Sequence, residues 1–270
     1  MITIAIPVYN RIDVLEKMAL SLYNSNINTC EYNIRVYDDC SNEISIEMLH
    51  KIFPNAKSII RHAKNIGADH NMFYMYNDFL NYDDEYFFNA DSDIIFSKNW
   101  LQEALDLIQN TDGVLSLFNT RTHAVNTLIN KDLCLKEYYG AAGVLLRKDK
   151  IIEICNHFSY SDVKGFDWQW CRYLRRNNTK LYCVNNSLVQ HIGLIGQNAR
   201  LCHYDYGDGF VVDSVINGEI IAELFGLYVN LSTQECQNRC REYKIGKHFC
   251  CIIDGMKKFI KKIMLFEKWG

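Results

Sequence analysis

Two carboxylates, Asp91 and Asp93, stand two residues apart directly after the hydrophobic stretch 85–90. Residues two apart in an extended segment point to the same side of the chain, so both carboxylates are expected to face one site. Paired carboxylates provide the hard oxygen ligands that Mg²⁺ and Mn²⁺ prefer. A divalent ion held there can bridge the phosphates of a nucleotide diphosphate. The alternative is an ordinary solvated loop, since Asp-x-Asp occurs often by chance.

A third carboxylate, Asp167, lies among aromatic residues in the stretch 165–170, where the sequence predicts the start of a helix. A partly desolvated carboxylate suits a general base. Trp168 and Trp170 share this stretch, and an aromatic wall suits the apolar faces of a sugar ring. Asp167 is therefore a candidate base, and both tryptophans are candidate acceptor-binding residues. The alternative is a helix N-cap beside two core tryptophans.

A second acidic pair, Asp38 and Asp39, ends the apolar run 33–37. A carboxylate at a strand end can accept hydrogen bonds from a nucleobase or a ribose. The alternative is that this stretch caps a helix, through Ser41 or Asn42.

Two smaller features complete the set of candidate site residues. In the stretch Lys64-Asn65-Ile66-Gly67, the glycine can adopt backbone angles closed to other residues, and Lys64 can reach a phosphate. His191 ends a short predicted strand, and a neutral imidazole is a ready ligand for a divalent metal ion. The alternatives are an exposed loop lysine and a structural histidine.

The spacing of apolar residues predicts the elements that must position these groups. Predicted strands cover 2–8, 33–37, 57–61 and 85–90, and predicted helices cover 11–25, 43–52 and 67–81. This alternation is typical of a parallel sheet with helices on both faces, in which ligands bind beyond the carboxyl ends of the strands. Polar clusters at 7–11, 38–41 and 91–93 follow three of the strands. We expect them to converge on one crevice.

The second half of the chain continues the α/β pattern less regularly. The spacing predicts helices at 98–110 and 166–176, a strand at 113–118, and extended segments at 144–146, 180–184 and 187–190. Small residues precede the segment at 144, which indicates a close approach of the backbone to a ligand. Gly143 is therefore a candidate acceptor-binding residue. After about residue 205 the pattern weakens.

The composition is that of a globular protein: 270 residues, 49% apolar and 23% charged, with a net charge of -3. Nucleic acid is not an expected partner, because domains that bind it usually carry a basic stripe. No signal peptide and no apolar run of ~20 residues is visible, so we expect a cytoplasmic protein or one on the cytoplasmic face of a membrane. The 11 cysteines are scattered, which favours free thiols. The alternative is a zinc site among four C-terminal cysteines, namely Cys236, Cys240, Cys250 and Cys251, whose spacing fits no standard pattern.

Four motifs follow one another in a fixed order. They are Ile4-Ala5-Ile6-Pro7-Val8-Tyr9-Asn10, Tyr37-Asp38-Asp39-Cys40-Ser41, Asn65-Ile66-Gly67 and Asp91-Ser92-Asp93. Each motif alone is weak, but the ordered set resembles the family-two glycosyltransferases and covers about residues 1–195. The resemblance implies an α/β fold of GT-A type. In that fold, a mostly parallel nucleotide-binding sheet is flanked by helices, here with a small C-terminal helical extension.

The resemblance also implies roles for the candidate residues. Asp91 would approach the ribose, Asp93 and His191 would bind Mn²⁺ or Mg²⁺, and Asp167 matches the second residue of the family's Glu-Asp motif, which carries the base. The candidate nucleotide-sugar-binding residues are Pro7, Tyr9, Asn10, Arg11, Asp39, Lys64, Asn65, Gly67, Asp91 and Ser92.

Two positions depart from the family's pattern: Phe166 replaces the first acid of the Glu-Asp motif, and Cys40 replaces the glycine of Val-Asp-Asp-Gly-Ser. The implied reaction moves a sugar from a nucleotide-diphosphate sugar, with uridine diphosphate as the carrier, to a hydroxyl of a glycan or lipid-linked glycan. Asp167 would act as the base in one inverting displacement. The alternatives are a non-catalytic nucleotide-sugar or glycan-binding module and a sugar nucleotidyltransferase. The first loop lacks the glycine-rich phosphate loop that a nucleotidyltransferase or a dehydrogenase would carry.

These observations predict a catalytic domain over 1–205, with a donor half at about 1–95 and an acceptor half at about 96–205. Residues 206–270 would form a C-terminal extension. From residue 252 onward, apolar residues recur at helical spacing opposite several lysines. Such a basic amphipathic helix can lie on an anionic membrane surface, which would suit a lipid-linked acceptor. The alternative is a terminal helix that packs on the domain or on another subunit.

Overall fold

The computed structural model of the chain describes residues 1–123, 125–194 and 205–242. The strands are β1 (Ile2–Val8), β2 (Tyr32–Asp38), β3 (Ala56–Arg61), β4 (Tyr86–Asn89), β5 (Ile94–Phe96), β6 (Val114–Ser116), β7 (Val125–Leu128), β8 (Leu133–Lys136), β9 (Val144–Arg147), β10 (Leu181–Val184) and β11 (Val189–His191). The helices are α1 (Ile12–Asn24), α2 (Ile46–Ile52), α3 (Ala68–Phe79), α4 (Trp100–Ile108), α5 (Lys148–His157), α6 (Phe166–Arg176) and α7 (Val215–Glu242).

Nine strands form one sheet in the order β3-β2-β1-β4-β9-β6-β10-β8-β7. Neighbouring strands from β3 to β4 are all parallel, and in the whole sheet only β8 and β9 run opposite to the rest. The loops that follow β1, β2 and β4 therefore leave from the same edge. A separate pair, β5 with β11, is antiparallel and aligns His191 with Ile94.

The two faces of β1 show why this strand lies inside the sheet. Ile4 and Ile6 point into one apolar cluster, which includes buried residues of α1 and α4. Ala5 points into the other cluster, which includes buried residues of α3, α5 and α6. A strand buried on both faces reads as a continuous apolar run, as residues 4–6 do.

Pro7 is tolerated in this strand because of where its neighbours end. On one side β1 pairs with β4 only as far as Ala5 and Asn89, and Pro7 aligns with Tyr37 on the other side. A proline removes a ladder hydrogen bond, so it fits where pairing with one neighbour has already stopped.

Most predicted elements are present within two or three residues of their predicted bounds. Sequence reasoning missed α5 and the short strands β5, β7 and β8. The second helix, predicted over 43–52, also begins later than predicted. That helix starts at Ile46, and the side chain of Ser45 accepts a hydrogen bond from the Met48 amide at 3.2 Å. The capping proposed for Ser41 or Asn42 therefore belongs to Ser45.

The chain forms two compact units. The first contains residues 1–192 and 205–216, and the second contains 193–204 and 217–270. No helix within the described residues is long and apolar enough to cross a membrane. The basic amphipathic segment predicted from residue 252, together with Cys250 and Cys251, lies outside the described residues.

Candidate active site

The loop after β1 is held by the loop after β2. The side-chain oxygen of Asn10 accepts hydrogen bonds from the amides of Asn42 and Glu43, at 2.9 and 3.2 Å. The Asn10 amide donates to the Ser41 hydroxyl at 2.8 Å. Asn10 and Arg11 both have left-handed backbone angles, with φ of 54° and 58°. Such angles cost non-glycine residues about 1–3 kcal/mol each and persist mainly at functional sites.

The loop after β2 explains one departure from the family motif. Cys40 also has a left-handed φ, of 62°, which is the conformation that favours the glycine of the motif. Asp38 is fully buried and accepts from the Ser41 amide at 3.0 Å and from the Arg61 guanidinium. This aspartate therefore stabilises the loop from within the fold.

Asp39 organises the third loop of the same edge. Its side chain is 3% exposed, and its two oxygens accept from the amides of Ile66 and Gly67 at 2.7 and 2.8 Å. Gly67 has a φ of 86°, as its predicted role requires. Lys64 and Asn65 precede it and are exposed. A carboxylate has about four lone-pair sites, so Asp39 retains acceptor capacity beyond these two amides.

The second carboxylate of the Asp-x-Asp pair is bound by an arginine and a histidine side chain. Asp93 contacts the Arg11 guanidinium through one oxygen, and its other oxygen lies 3.2 Å from His191 Nε2. Burial alone would raise the pKa of Asp93, but His191 and Arg11 lower it below its usual range. Burial opposes protonation of His191, yet the carboxylates of Asp93 and Asp91 raise the pKa of His191. Residues from the β1, β4 and β11 ends thus meet at one point.

The first carboxylate of the pair has a different environment. Asp91 accepts a hydrogen bond from the Asn89 side chain at 2.6 Å. Burial, followed by the negative charge of Asp93, raises the pKa of Asp91 to about 7. Asp167 contributes in the same direction. The charges of Asp91 and Asp167, one from each half of the proposed site, therefore interact. Ser92 lies between the two acids and is half-buried.

The chemistry of Asp93 and His191 fits part of a divalent metal site. Within the described residues, no group of three or more His, Cys, Asp or Glu side chains converges as a complete site. One carboxylate and one imidazole fit an ion that takes its other ligands from water or from a bound substrate. The residues present thus fit Mg²⁺ or Mn²⁺ as an ion shared with a substrate.

Asp167 lies in the first turn of α6, as predicted. Gly165 precedes the helix with a φ of 65°, and the Asp167 side chain accepts from the Trp168 amide at 2.8 Å. Burial and then the charge of Asp69 raise the pKa of Asp167 above its ordinary value, against the opposing effect of the Trp168 amide. A raised pKa suits a general base, because the optimum lies near the working pH.

The structure separates the two tryptophans that the sequence treats alike. Trp168 is 44% exposed and stacks on Tyr138, with ring centroids 4.1 Å apart. Trp170 is fully buried in the core beneath α6. Positions two apart on a helix lie on different faces, so one ring faces outward and the other faces the sheet. Trp170 therefore cannot contact an acceptor, and that prediction is wrong.

The structure places Gly143 and Gly140 in different surroundings. Gly143 is buried with a φ of 68°, and an added Cβ would lie 2.7 Å from the Val189 side chain. The group that closely approaches the Gly143 backbone is therefore the Val189 side chain of the protein itself. At Gly140, an added Cβ would lie 3.8 Å from Asp167 Oδ2 and 3.9 Å from His123 Cε1. Gly140, rather than Gly143, borders the candidate base.

Sequence reasoning missed two further residues of this region. His123 lies edge-on to Tyr138 and Trp168, with centroids 5.4 and 6.3 Å away. Asp69 accepts hydrogen bonds from the backbone at the start of α6. Neither residue belongs to a recognisable motif. The signal available for Asp69 was its position two residues after the glycine of the Asn-Ile-Gly motif.

Comparison with known proteins places the chain in a family. The profile described as Glycosyl transferase family 2 matches residues 3–177. This match covers more than half of the chain, and the chain belongs to that family. No curated protein matches the chain significantly.

Solved structures support the GT-A fold. S. aureus TarS has a TM-score of 0.51 and 16% identity, and the match covers 84% of this chain and 39% of TarS. Its fragment 1–349 in complex with UDP gives 0.50 and 16%, covering 84% of this chain and 64% of the fragment. Mannosyltransferase PcManGT from Pyrobaculum calidifontis, in complex with GDP-Man and Mn²⁺, gives 0.53 and 13%, covering 69% and 54%. The predicted fold class is confirmed, and the chain spans less than two thirds of these proteins.

Proposed function

We propose that the protein is a glycosyltransferase that moves a sugar from a nucleotide-diphosphate sugar to a hydroxyl group of a glycan acceptor. One observation carries this proposal. The Asn89 side chain donates to Asp91 at 2.6 Å and to the Ala141 carbonyl oxygen at 3.0 Å, and the adjacent Gly140 borders the half-buried side chain of Asp167. A donor phosphate bound beside Asp91 and an acceptor hydroxyl bound at Asp167 would meet within one site.

The donor would bind along the edge formed by the loops after β1, β2 and β4. We assign the base and ribose to Pro7, Tyr9, Asn10 and Asp39, and the ribose edge also to Asp91. Arg11, Lys64, Asn65, Gly67 and Ser92 border the same edge and complete the proposed donor site. Uridine diphosphate is the proposed carrier, by family resemblance. Guanosine diphosphate is the alternative, and a direct binding test distinguishes the two nucleotides.

Asp93 and His191 are the residues that would hold Mn²⁺ or Mg²⁺. When bound, such an ion neutralises the charge of the departing diphosphate. Arg11 lies on the same carboxylate, so its guanidinium can also approach the phosphates. These groups supply positive charge where the leaving group develops negative charge, which lowers the barrier.

On the acceptor side, Asp167 would take the proton of the attacking hydroxyl. The hydroxyl oxygen then bonds to the anomeric carbon, while the bond from that carbon to the phosphate oxygen breaks and its electron pair leaves with the diphosphate. A single displacement inverts the anomeric centre. Trp168 and Tyr138 would support one face of the acceptor ring, and the space beside Gly140 would admit its hydroxyl.

A lipid-linked acceptor and contact with a membrane surface remain predictions from the sequence beyond residue 252. A cytoplasmic location is likewise a prediction from the sequence. If the protein were only a binding module, nucleotide and glycan would bind without turnover. A nucleotidyltransferase would consume a sugar phosphate and release pyrophosphate instead.

Thermal stabilisation by nucleotide diphosphates, with and without Mn²⁺, tests the donor site. A ligand at 100 times its Kd stabilises the native state by about 2.7 kcal/mol, so a shift of several degrees in Tm is expected with one nucleotide. Asp93→Asn should remove the Mn²⁺-dependent part of that shift. Asp83→Asn is the matched control, because Asp83 is exposed and precedes β4 at the opposite edge of the sheet. No shift with any nucleotide would reject the proposal.

A further inference from the structure

The first turn of α6 is held by a carboxylate from another helix. Asp69, in the first turn of α3, accepts from the amides of Gly165 and Phe166 at 2.9 and 3.0 Å. Helix N-termini leave such amides without partners inside the helix, and a residue next to the helix usually caps them. Here the preceding residue is a glycine without a side chain, and the cap comes from 96 residues away. The two amides lie directly before Asp167.

The start of α3 is held in the same way. Asp39 accepts from the amides of Ile66 and Gly67, and Gly67 is the residue directly before α3. Only Ala68 separates that glycine from Asp69. The sequence of contacts therefore runs from Asp39 through the start of α3 to the start of α6.

We propose that Asp69 is a positioning residue for the candidate base Asp167. Asp39 and residues 66–69 then join the proposed nucleotide site to that base as one hydrogen-bonded unit. This inference rests on the proposed function. Its consequence is that the base is oriented by the element that also borders the donor. A hydrogen bond between a carboxylate and backbone amides is charge-assisted and directional, which suits an orienting role.

Electrostatics give this arrangement a signature that can be measured. After burial, the Asp69 charge is the largest contribution that raises the pKa of Asp167. The charges of Asp91 and Asp167 also interact. Tyr76 and Cys171 also face it, and burial raises the pKa of both, so they are uncharged at neutral pH. Removal of the Asp69 charge should therefore lower the pKa of Asp167.

The experiment compares Asp69→Asn with wild type by three measurements. The first is the titration of the Asp167 carboxyl by ¹³C NMR, assigned with Asp167→Asn, which does not depend on turnover. The second is the pH profile of kcat, and the third is Tm stabilisation by UDP with Mn²⁺. Asp162→Asn is the matched control, because this exposed aspartate lies five residues before the base and bonds only locally to Ser159 and Ser161.

We expect the Asp167 titration and the acidic limb of kcat to move to lower pH in Asp69→Asn. The kcat on the plateau should fall by about 10-fold or more, since small errors in the position of a base are costly. UDP stabilisation should remain. An unchanged Asp167 titration with an unchanged plateau would overturn the inference, and so would an equal shift in Asp162→Asn. If no nucleotide binds, the proposed function fails, but the titration still decides whether Asp69 acts on Asp167.

Discussion

The proposed donor edge and the proposed acceptor side of this protein are built by different means. On the donor edge, Asp38, Asp39 and Asp93 are each engaged by amides or by cationic side chains. Beneath and beside α6, several buried polar atoms have no hydrogen-bond partner within the described residues. They are the hydroxyls of Tyr76 and Tyr139, the indole nitrogen of Trp170 and Nδ1 of His123. The donor edge is thus arranged by paired charges, and the acceptor side by aromatic shape.

This difference has a physical rationale. A diphosphate carries concentrated charge, and preorganised dipoles and cations bind it best when they are already fixed in place. A sugar ring offers apolar faces and hydroxyls, so an exposed aromatic surface and an open space beside a base suit it better. The side chain of Asp167 connects the two regions, because it lies among aromatic residues and its charge interacts with that of Asp91.

The largest expected effect comes from Asp167→Asn. The variant keeps the size of the side chain and loses the base, so transfer should fall by about 10²–10⁴-fold while UDP stabilisation stays unchanged. In wild type, activity should rise with pH through an Asp167 pKa above the ordinary aspartate value, because the base must be deprotonated. Loss of nucleotide binding in Asp167→Asn would contradict the division into two sides.

Asp39→Asn should affect stability as well as binding. The substitution replaces a buried carboxylate that accepts from two amides with a group that can accept on one oxygen only. We expect the free energy of unfolding to fall by about 1–3 kcal/mol, measured by urea denaturation, and nucleotide affinity to fall with it. Asp83→Asn should change neither quantity. A fully stable Asp39→Asn variant would show that the donor edge does not depend on these contacts.

Gly140→Ala should weaken the acceptor side alone. The added methyl group would meet Asp167 and His123 at ordinary contact distance, so the fold should tolerate it. It would also fill part of the space proposed for the acceptor hydroxyl. We expect KM for the acceptor to rise about 10-fold, or roughly 1.4 kcal/mol, with UDP stabilisation intact. Gly226→Ala is the control, since an added Cβ there meets nothing within 4 Å. An unchanged acceptor KM would move the acceptor away from Gly140.

The smallest effect is expected from Tyr139→Phe. Tyr139 is 1% exposed, and its hydroxyl has no partner among the described residues. Removal of an unpartnered buried hydroxyl should leave Tm unchanged or raise it slightly, because such a group costs about 1–3 kcal/mol of desolvation. A clear loss of stability would show that the hydroxyl is hydrogen-bonded, for example to a buried water molecule, and would weaken the contrast drawn with the donor edge.

Much of the donor half could be predicted from the sequence, because its signals are local. Alternating strands and helices with apolar runs indicate a parallel sheet, and the polar clusters after those runs must leave from one edge. The pairing of Asp93 with His191 was implied by the family resemblance, and an Asp93 oxygen lies 3.2 Å from His191 Nε2. The start of α6 at Phe166, one residue before Asp167, followed from the same kind of local pattern.

What the sequence by itself determined is therefore the fold class, the family and the types of residue at the proposed donor edge, since the succession of elements along the chain and the motif spacing follow from short-range patterns. Only the tertiary structure decided which of Trp168 and Trp170 faces outward, that Gly140 rather than Gly143 borders the base, and that Asp69 holds the start of α6. Each of these depends on contacts between segments far apart in the chain. Helical periodicity defines the faces of a helix, but the neighbour that each face meets is decided by how the layers pack.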